Sequence, residues 1–222
     1  MTLSVALLTL AHILVFVYWL GGDLGAFVSS YTLIDGRKPV AARLMALNVV
    51  NNVDMAPRTA LILAFPTGLS LAEVKGWMDV PTGAVAVVWL VAVIWLGIAW
   101  RIHLKHSAPQ SIERRSDMVL RISAALGLFG FSASVFLGVL PTIPWFIGLK
   151  CLLLGFAITA GLVVRRALKP LFVAARGMAA EGPTPERDRV LRHVILWRSK
   201  PTVVSIWILI TLATLAGIMT PV

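Results

Sequence analysis

One imidazole and one amine stand where ionisable groups are costly. His12 interrupts an apolar run from Leu3 to Gly22 that is otherwise free of acidic and basic residues, and Lys150 interrupts a second run from Ile143 to Val164. Each run is long enough to cross a bilayer as a helix, and a polar group held at that depth needs a partner or a use. At about 1.5 Å of rise per residue, His12 lies roughly 13 Å from the Leu3 end, and Lys150 roughly 8–13 Å from the Pro141–Trp145 turn, so the two nitrogens share a level. By the same rise Arg58 lies roughly 21 Å down, above Asp23 near the far interface.

Such a ladder suits a haem or another porphyrin. Neutral imidazole is a good axial ligand to haem iron, and small residues on facing helices leave room for a flat macrocycle. Arg58 could pair with a propionate. Lys150 has three readings: a neutral amine that ligates, an ammonium that holds a carboxylate, or a side chain that snorkels to the outer surface. The plain alternative for His12 is a bond to a carbonyl of a neighbouring helix. Asp23, Asn51, Asp54 and Arg58 form a polar network below, with Asp54 and Arg58 spaced as an i, i+4 ion pair in the favourable order.

These groups must be positioned by helices. Of the 222 residues, 59% are hydrophobic and only 14% charged, a balance that makes lipid the solvent. Uncharged or nearly uncharged runs predict an all-α, polytopic membrane bundle of six spans, near 3–24, 48–72, 80–101, 120–140, 143–165 and 201–221. On the first span His12, Phe16, Trp19, Asp23 and Ala26 recur on one face, and Gly21 with Gly25 forms a small-xxx-small pair for close helix approach. Pro66 predicts a kink in the second span. Ser123, Gly127, Gly130, Ser134 and Gly138 make a seam of small residues in the fourth, either for close helix contact or to leave room for a flat ligand. Trp77 and Trp145, with Trp100 and Trp197, fit interfacial belts at the two ends.

The net charge of +10 is distributed as a topology signal and not as a nucleic-acid patch. Arg37, Lys38 and Arg43 follow the first span, Arg101 to Arg121 lie between the third and fourth, and Arg165 to Lys200 precede the last. All fall on one side if both termini face outward, as expected for a multi-pass protein of a bacterial inner membrane. The basic face would meet anionic lipid. Within 166–200, Thr184-Pro185-Glu186 is a helix start, and Val190, Leu191, Val194, Ile195 and Trp197 against flanking arginines predict an amphipathic piece at the membrane surface. The N-terminal run lacks a basic leader and a cleavage pattern, so it reads as a retained helix.

Other chemistry is thinly represented. Cys151 is the one cysteine, which excludes an intrachain disulfide and two-cysteine metal motifs. His103 and His106 could share a metal but read more simply as part of a solvated basic loop, with His193 interfacial. No nucleophile–base triad, phosphate loop or zinc signature occurs.

The motif from Ala11-His12 to Trp19-Leu20-Gly21-Gly22 resembles the first helix of the HemJ-type membrane protoporphyrinogen oxidases and of related CopD-like membrane domains. Met55-Ala56-Pro57-Arg58 with Pro66-Thr67-Gly68 looks like that family's second helix. Trp145 to Lys150-Cys151-Leu152 is similar to its Trp…Lys-Leu helix, and Arg192, Pro201 and the closing apolar helix ending in Pro221 are similar to its C-terminal segment. These four blocks cover somewhat over half of the chain; the hairpin from about Glu73 to Leu140 has no counterpart. The resemblance implies b-type haem with His12 and Lys150 essential, and oxidation of protoporphyrinogen IX with a quinone or respiratory partner as the electron sink. Two alternatives stand beside it: a non-catalytic accessory subunit of a homo-oligomer or larger membrane complex, and CopD-like copper handling.

Overall fold

A computed structural model describes residues 3–105 and 111–220; His106 and Pro221 lie outside that range. Every element among the described residues is helical. They are α1 (Leu3–Ile34), α2 (Val40–Val53), α3 (Met55–Val74), α4 (Thr82–Leu104), α5 (Ile112–Phe136), α6 (Trp145–Ala167), α7 (Lys169–Glu181), α8 (Pro185–His193), a π-helical turn (Val194–Ser199) and α9 (Lys200–Met219).

Five stretches are long and apolar enough to cross a membrane: Leu3–Ile34, Thr82–Leu104, Ile112–Phe136, Trp145–Glu181 and Pro185–Met219. The second of the six expected spans does not qualify, because α3 carries Arg58, Thr59, Thr67, Ser70 and Glu73 along its length. Leu3, Val17, Leu90, Val93, Ile94, Leu126 and Ile218 are exposed, as side chains solvated by lipid would be.

The long helices pack as a closed bundle in which α1 meets α3, α3 meets α4, α4 meets α5, α5 meets α6, α6 meets α9, and α9 returns to α1. One core joins them, from Val15 and Trp19 through Leu61, Trp95 and Leu128 to Phe146, Ile158 and Ile206. α3 runs antiparallel to α1: a Cβ at Gly22 would lie 2.5 Å from Pro57 Cδ, one at Gly25 3.2 Å from Val53 Cγ1, and one at Gly68 3.1 Å from His12 Cε1. The close approach therefore uses Gly22 and Gly25. Gly21 of the expected small-xxx-small pair is exposed and meets nothing within 4 Å.

α3 continues as a helix through Pro66, where the sequence predicts a kink. The interruption falls at Asp54, whose φ of −62° and ψ of −11° end α2 and begin α3. Pro57 explains it. Its ring lacks an N–H and crowds the carbonyl four residues back, at Val53. So the expected span at 48–72 is two helices joined at Asp54.

The fourth expected span also differs. α5 begins at Ile112, capped by Ser111 Oγ accepting from Arg114 N, and ends at Phe136 before Gly138, whose φ of 71° stops the helix. Its small-residue seam does not pack inside: Gly127 and Gly130 are exposed and meet nothing within 4 Å. The working contact is on the other face, where Val135 and Phe129 sit against Gly148 and Gly155 of α6 and the Ser132 hydroxyl donates to the Gly148 carbonyl at 2.8 Å.

The segment expected as an amphipathic piece on the membrane surface folds into a cap instead. Thr184 Oγ accepts from Arg187 N at 3.2 Å and starts α8. Leu191, Val194 and Ile195 are then buried with Leu33, Ile34, Ala46, Leu171, Ala175 and Met178 in a second core, while Trp197 stays exposed. Two cations close the C-terminal end of α1, where unpaired carbonyls attract positive charge. Arg43 Nε donates to the Leu33 carbonyl at 2.8 Å and Arg192 Nε to the Ile34 carbonyl at 3.2 Å. Arg43, 1% exposed, also pairs with Asp188 at 2.6 Å. In the adjoining turn Arg37 holds the Asp35 carboxyl at about 2, well below its ordinary value.

Candidate functional site

At the end of the bundle opposite that cap, the α1–α3 contact sets the chemistry of His12. Its Nδ1 lies 2.9 Å from Thr67 Oγ1. The single hydroxyl proton of Thr67 is engaged by the Leu63 carbonyl at 2.7 Å, with Ala64 O at 3.3 Å. The hydroxyl can therefore only accept from His12, which places the imidazole proton on Nδ1 and the lone pair of the neutral ring on Nε2. Nε2 has no hydrogen-bond partner among the described residues. The ring edge rests on Gly68, where any side chain would crowd Cε1 at 3.1 Å.

Lys150, in the second turn of α6, reaches toward the end of α9. A Cβ at Gly217 would collide with Nζ and lie 3.5 Å from Cε, so the amine lies along the Gly217 backbone. Lys150 is near enough for its charge to act on His12, and Lys75 acts on Lys150. No carboxylate pairs with Lys150 among the described residues. Four helices thus bring their ends together here: α1 with His12, α3 with Thr67 and Gly68, α6 with Lys150, α9 with Gly217.

Trp19 is buried two turns below His12 on the same helix. Its indole and that of Trp207 face the Asp23 carboxyl, which also feels Asp54. The Trp207 N–H is buried with no hydrogen bond of good geometry among the described residues, and its ring meets Phe27 edge-on at 5.6 Å. Arg58 and Asp54 form an i, i+4 ion pair about one-third exposed. Asn51 is half-buried on the same face. Asp23 therefore stands level with Asp54 and Arg58, and not beneath them, because the antiparallel register sets Gly22 against Pro57.

A second buried cluster was not foreseen from the sequence. Asp117, 3% exposed, accepts from Trp95 Nε1 at 2.9 Å, from Arg121 Nε at 3.1–3.2 Å and from Arg165 Nη1 at 2.8 Å. Their positions near span ends place Arg121 and Arg165 among the basic loop charges in the sequence. In the folded chain Arg121 is 4% exposed on the third turn of α5, on its buried face, with its guanidinium 5.6 Å from the Trp95 ring centroid. Arg165 also feels Arg58 and Asp54, so the clusters adjoin.

Among the described residues no three histidine, cysteine, aspartate or glutamate side chains gather as a metal site. His103 packs edge-on against Trp100. An axial imidazole ligand asks for less than a cluster: one nitrogen lone pair, with the ring's other nitrogen anchored, which His12 has. The described cavities lie elsewhere. A groove of about 440 Å³ between α6 and α9 is lined by Phe156, Thr159, Val163, Thr202 and Leu209. A second of about 330 Å³ lies at the α1 end beside Arg37 and Arg192.

The chain matches no family model, no curated protein and no solved structure. Its class rests on its own features: a helical bundle with five helices fit to cross a membrane and a half-buried imidazole at one end.

Proposed function

We propose that the protein is an integral membrane protein that binds b-type haem through His12, with porphyrin or electron-transfer chemistry at that end of the bundle. The observation that carries this reading is the anchored tautomer: Thr67 accepts the Nδ1–H hydrogen bond and leaves the Nε2 lone pair with no protein partner among the described residues. Haem, when bound, supplies one-electron redox chemistry. For a bound haem Lys150 would offer an amine without a carboxylate partner, Trp19 an apolar wall, and Arg58, which pairs with Asp54, a guanidinium for a propionate. The HemJ-type motifs around His12, Arg58 and Lys150 supply the reaction class, oxidation of protoporphyrinogen IX. A quinone-type acceptor would complete it.

The topology proposed with this reading has six crossings in a bacterial inner membrane, with α3 as the sixth. α3 runs the length of α1 and buries eleven of its residues inside the bundle, so its polar groups need not meet lipid. Both termini then face outward, and the Arg-rich cap lies on the cytoplasmic side.

Purified protein in mild detergent should show a Soret band that His12→Ala removes while the helical content stays unchanged. A folded, colourless wild-type protein that takes up no added haem would overturn the reading. Restored growth of a strain lacking protoporphyrinogen oxidase separates the enzyme from a non-catalytic haem protein.

A second reading rests on the outward seam of α5. Gly127 and Gly130 offer close approach to a further helix, as a non-catalytic subunit of a homo-oligomer or larger membrane complex would need. Co-purification of a partner that survives His12→Ala and is lost on Gly127→Leu would favour it.

A further inference from the structure

The Asp117 cluster holds more positive charge than its carboxylate can satisfy. Both Asp117 oxygens are engaged, by the Trp95 indole and by two guanidiniums. Arg121 still has a free donor: its Nη2 is buried with no hydrogen-bond partner among the described residues. The neighbouring Arg58–Asp54 pair is neutral in itself and lends no charge. The three guanidiniums of Arg58, Arg121 and Arg165 thus face two carboxylates, Asp54 and Asp117. A buried cation in excess and an orphan N–H are both costly, and one anion answers both.

The shape favours a phosphate. Arginine forks present paired N–H donors that match phosphate oxygens, and Arg121 and Arg165 are fixed side by side on the Asp117 carboxylate. Trp95 lies against the Arg121 guanidinium and helps to hold its plane. Entry is available beside Arg165. Arg165 is 30% exposed at the last turn of α6, where exposed Arg166 and Lys169 follow. If Asp117 served only to tie α4, α5 and α6 together, one arginine would balance it, and the second would add a desolvation cost with no return.

We propose that Arg121 and Arg165 form an anion site for a single phosphate group, carried by a phospholipid headgroup or present as free phosphate. The site is separate from His12 and stands whether or not haem binds there.

The full-length protein in maltoside detergent is washed extensively, and its retained phosphorus is counted per chain. It is then titrated calorimetrically with dihexanoylphosphatidylglycerol, with inorganic phosphate and with phosphate-free dihexanoylglycerol. Saturable one-to-one binding of a phosphate-bearing probe, or one phosphorus retained per chain, is expected. R165Q should weaken the binding about tenfold or more, or release the phosphorus, the scale of one lost charged hydrogen bond. R165Q keeps the Asp117–Arg121–Trp95 bonds, so it should fold even where R121Q does not. Binding of the lipid probe alone assigns a headgroup, and competitive binding of inorganic phosphate assigns the free ion. A folded wild-type protein with neither retained phosphorus nor saturable phosphate binding overturns the proposal. So does an affinity unchanged in R165Q.

Discussion

His12 and Thr67, fifty-five residues apart, are joined by a hydrogen bond whose direction is set by a third group. Because the Thr67 hydroxyl already donates to the Leu63 carbonyl at 2.7 Å, the imidazole must be the donor, and α3 selects the tautomer of a residue on α1.

Thr67→Val keeps the side-chain shape and removes that acceptor. We expect haem affinity to fall by about 10- to 100-fold, the range for losing the partner of a ligating histidine, while Thr67→Ser retains it. A haem titration followed at the Soret band checks this. Equal affinity in the valine variant would mean that Thr67 does not orient the ring.

Gly68 separates the site from the stability of the helix that carries it. In a helix interior, Gly→Ala gains about 0.5–1 kcal/mol from propensity alone. A Cβ at this position would stand 3.1 Å from His12 Cε1 and push the imidazole aside. Gly68→Ala should therefore leave the melting temperature unchanged or slightly raised, yet weaken haem binding. Parallel melting and titration curves read the two effects apart.

The elements legible in the sequence were those in which one apolar run is one helix, as in α1, α4 and α6. What escaped depends on contacts between distant residues. Asp117 bonds Arg165 across forty-eight positions, so charges near span ends read as basic loop charges although both arginines belong to this cluster. Pro66 and Pro57 look alike as helix breakers, but the break falls at Asp54, just before Pro57, where that ring is set against Gly22. The apolar side of α8 showed the right periodicity, while its partner proved to be the ends of α1, α2 and α7 and not the bilayer. His12 and Lys150 were visible as expensive residues. Thr67 and Gly68 were visible only as letters in a motif, because neither residue type is unusual in an apolar helix.

Adjacent glycines in α1 should respond in opposite ways. A Cβ at Gly22 would lie 2.5 Å from Pro57 Cδ and 2.9 Å from Ala56 Cβ, atoms of a ring and a short side chain that cannot swing away. Gly22→Ala should cost about 1–3 kcal/mol, the usual scale of overpacking, and lower the melting temperature in detergent. Gly21→Ala meets nothing within 4 Å and should be neutral or stabilising. Similar losses at both positions would place the α1–α3 contact on the wrong face.

Arg43 should matter more than the carboxylate it pairs with. Its side chain is 1% exposed and serves two groups, the Leu33 carbonyl at the end of α1 and Asp188 on α8, whose side chain is 27% exposed. Asp188→Asn leaves the carbonyl bond intact and keeps a polar acceptor beside the guanidinium. Arg43→Met fills similar volume but strands a buried carbonyl, and it leaves Asp188 to be rehydrated from its open side. Losing a buried hydrogen-bond partner costs about 1–3 kcal/mol, so Arg43→Met should lower stability by that order and Asp188→Asn by less. The cap should also loosen locally, because α8 loses its Asp188 tie to Arg43 and is held to α1 by Arg192 on the Ile34 carbonyl. Limited proteolysis between Gly182 and Thr184, read against the global melt, distinguishes loosening of the cap from collapse of the bundle. Faster cleavage with an almost unchanged melt is the expected pattern for Asp188→Asn, and faster cleavage with a lowered melt is expected for Arg43→Met.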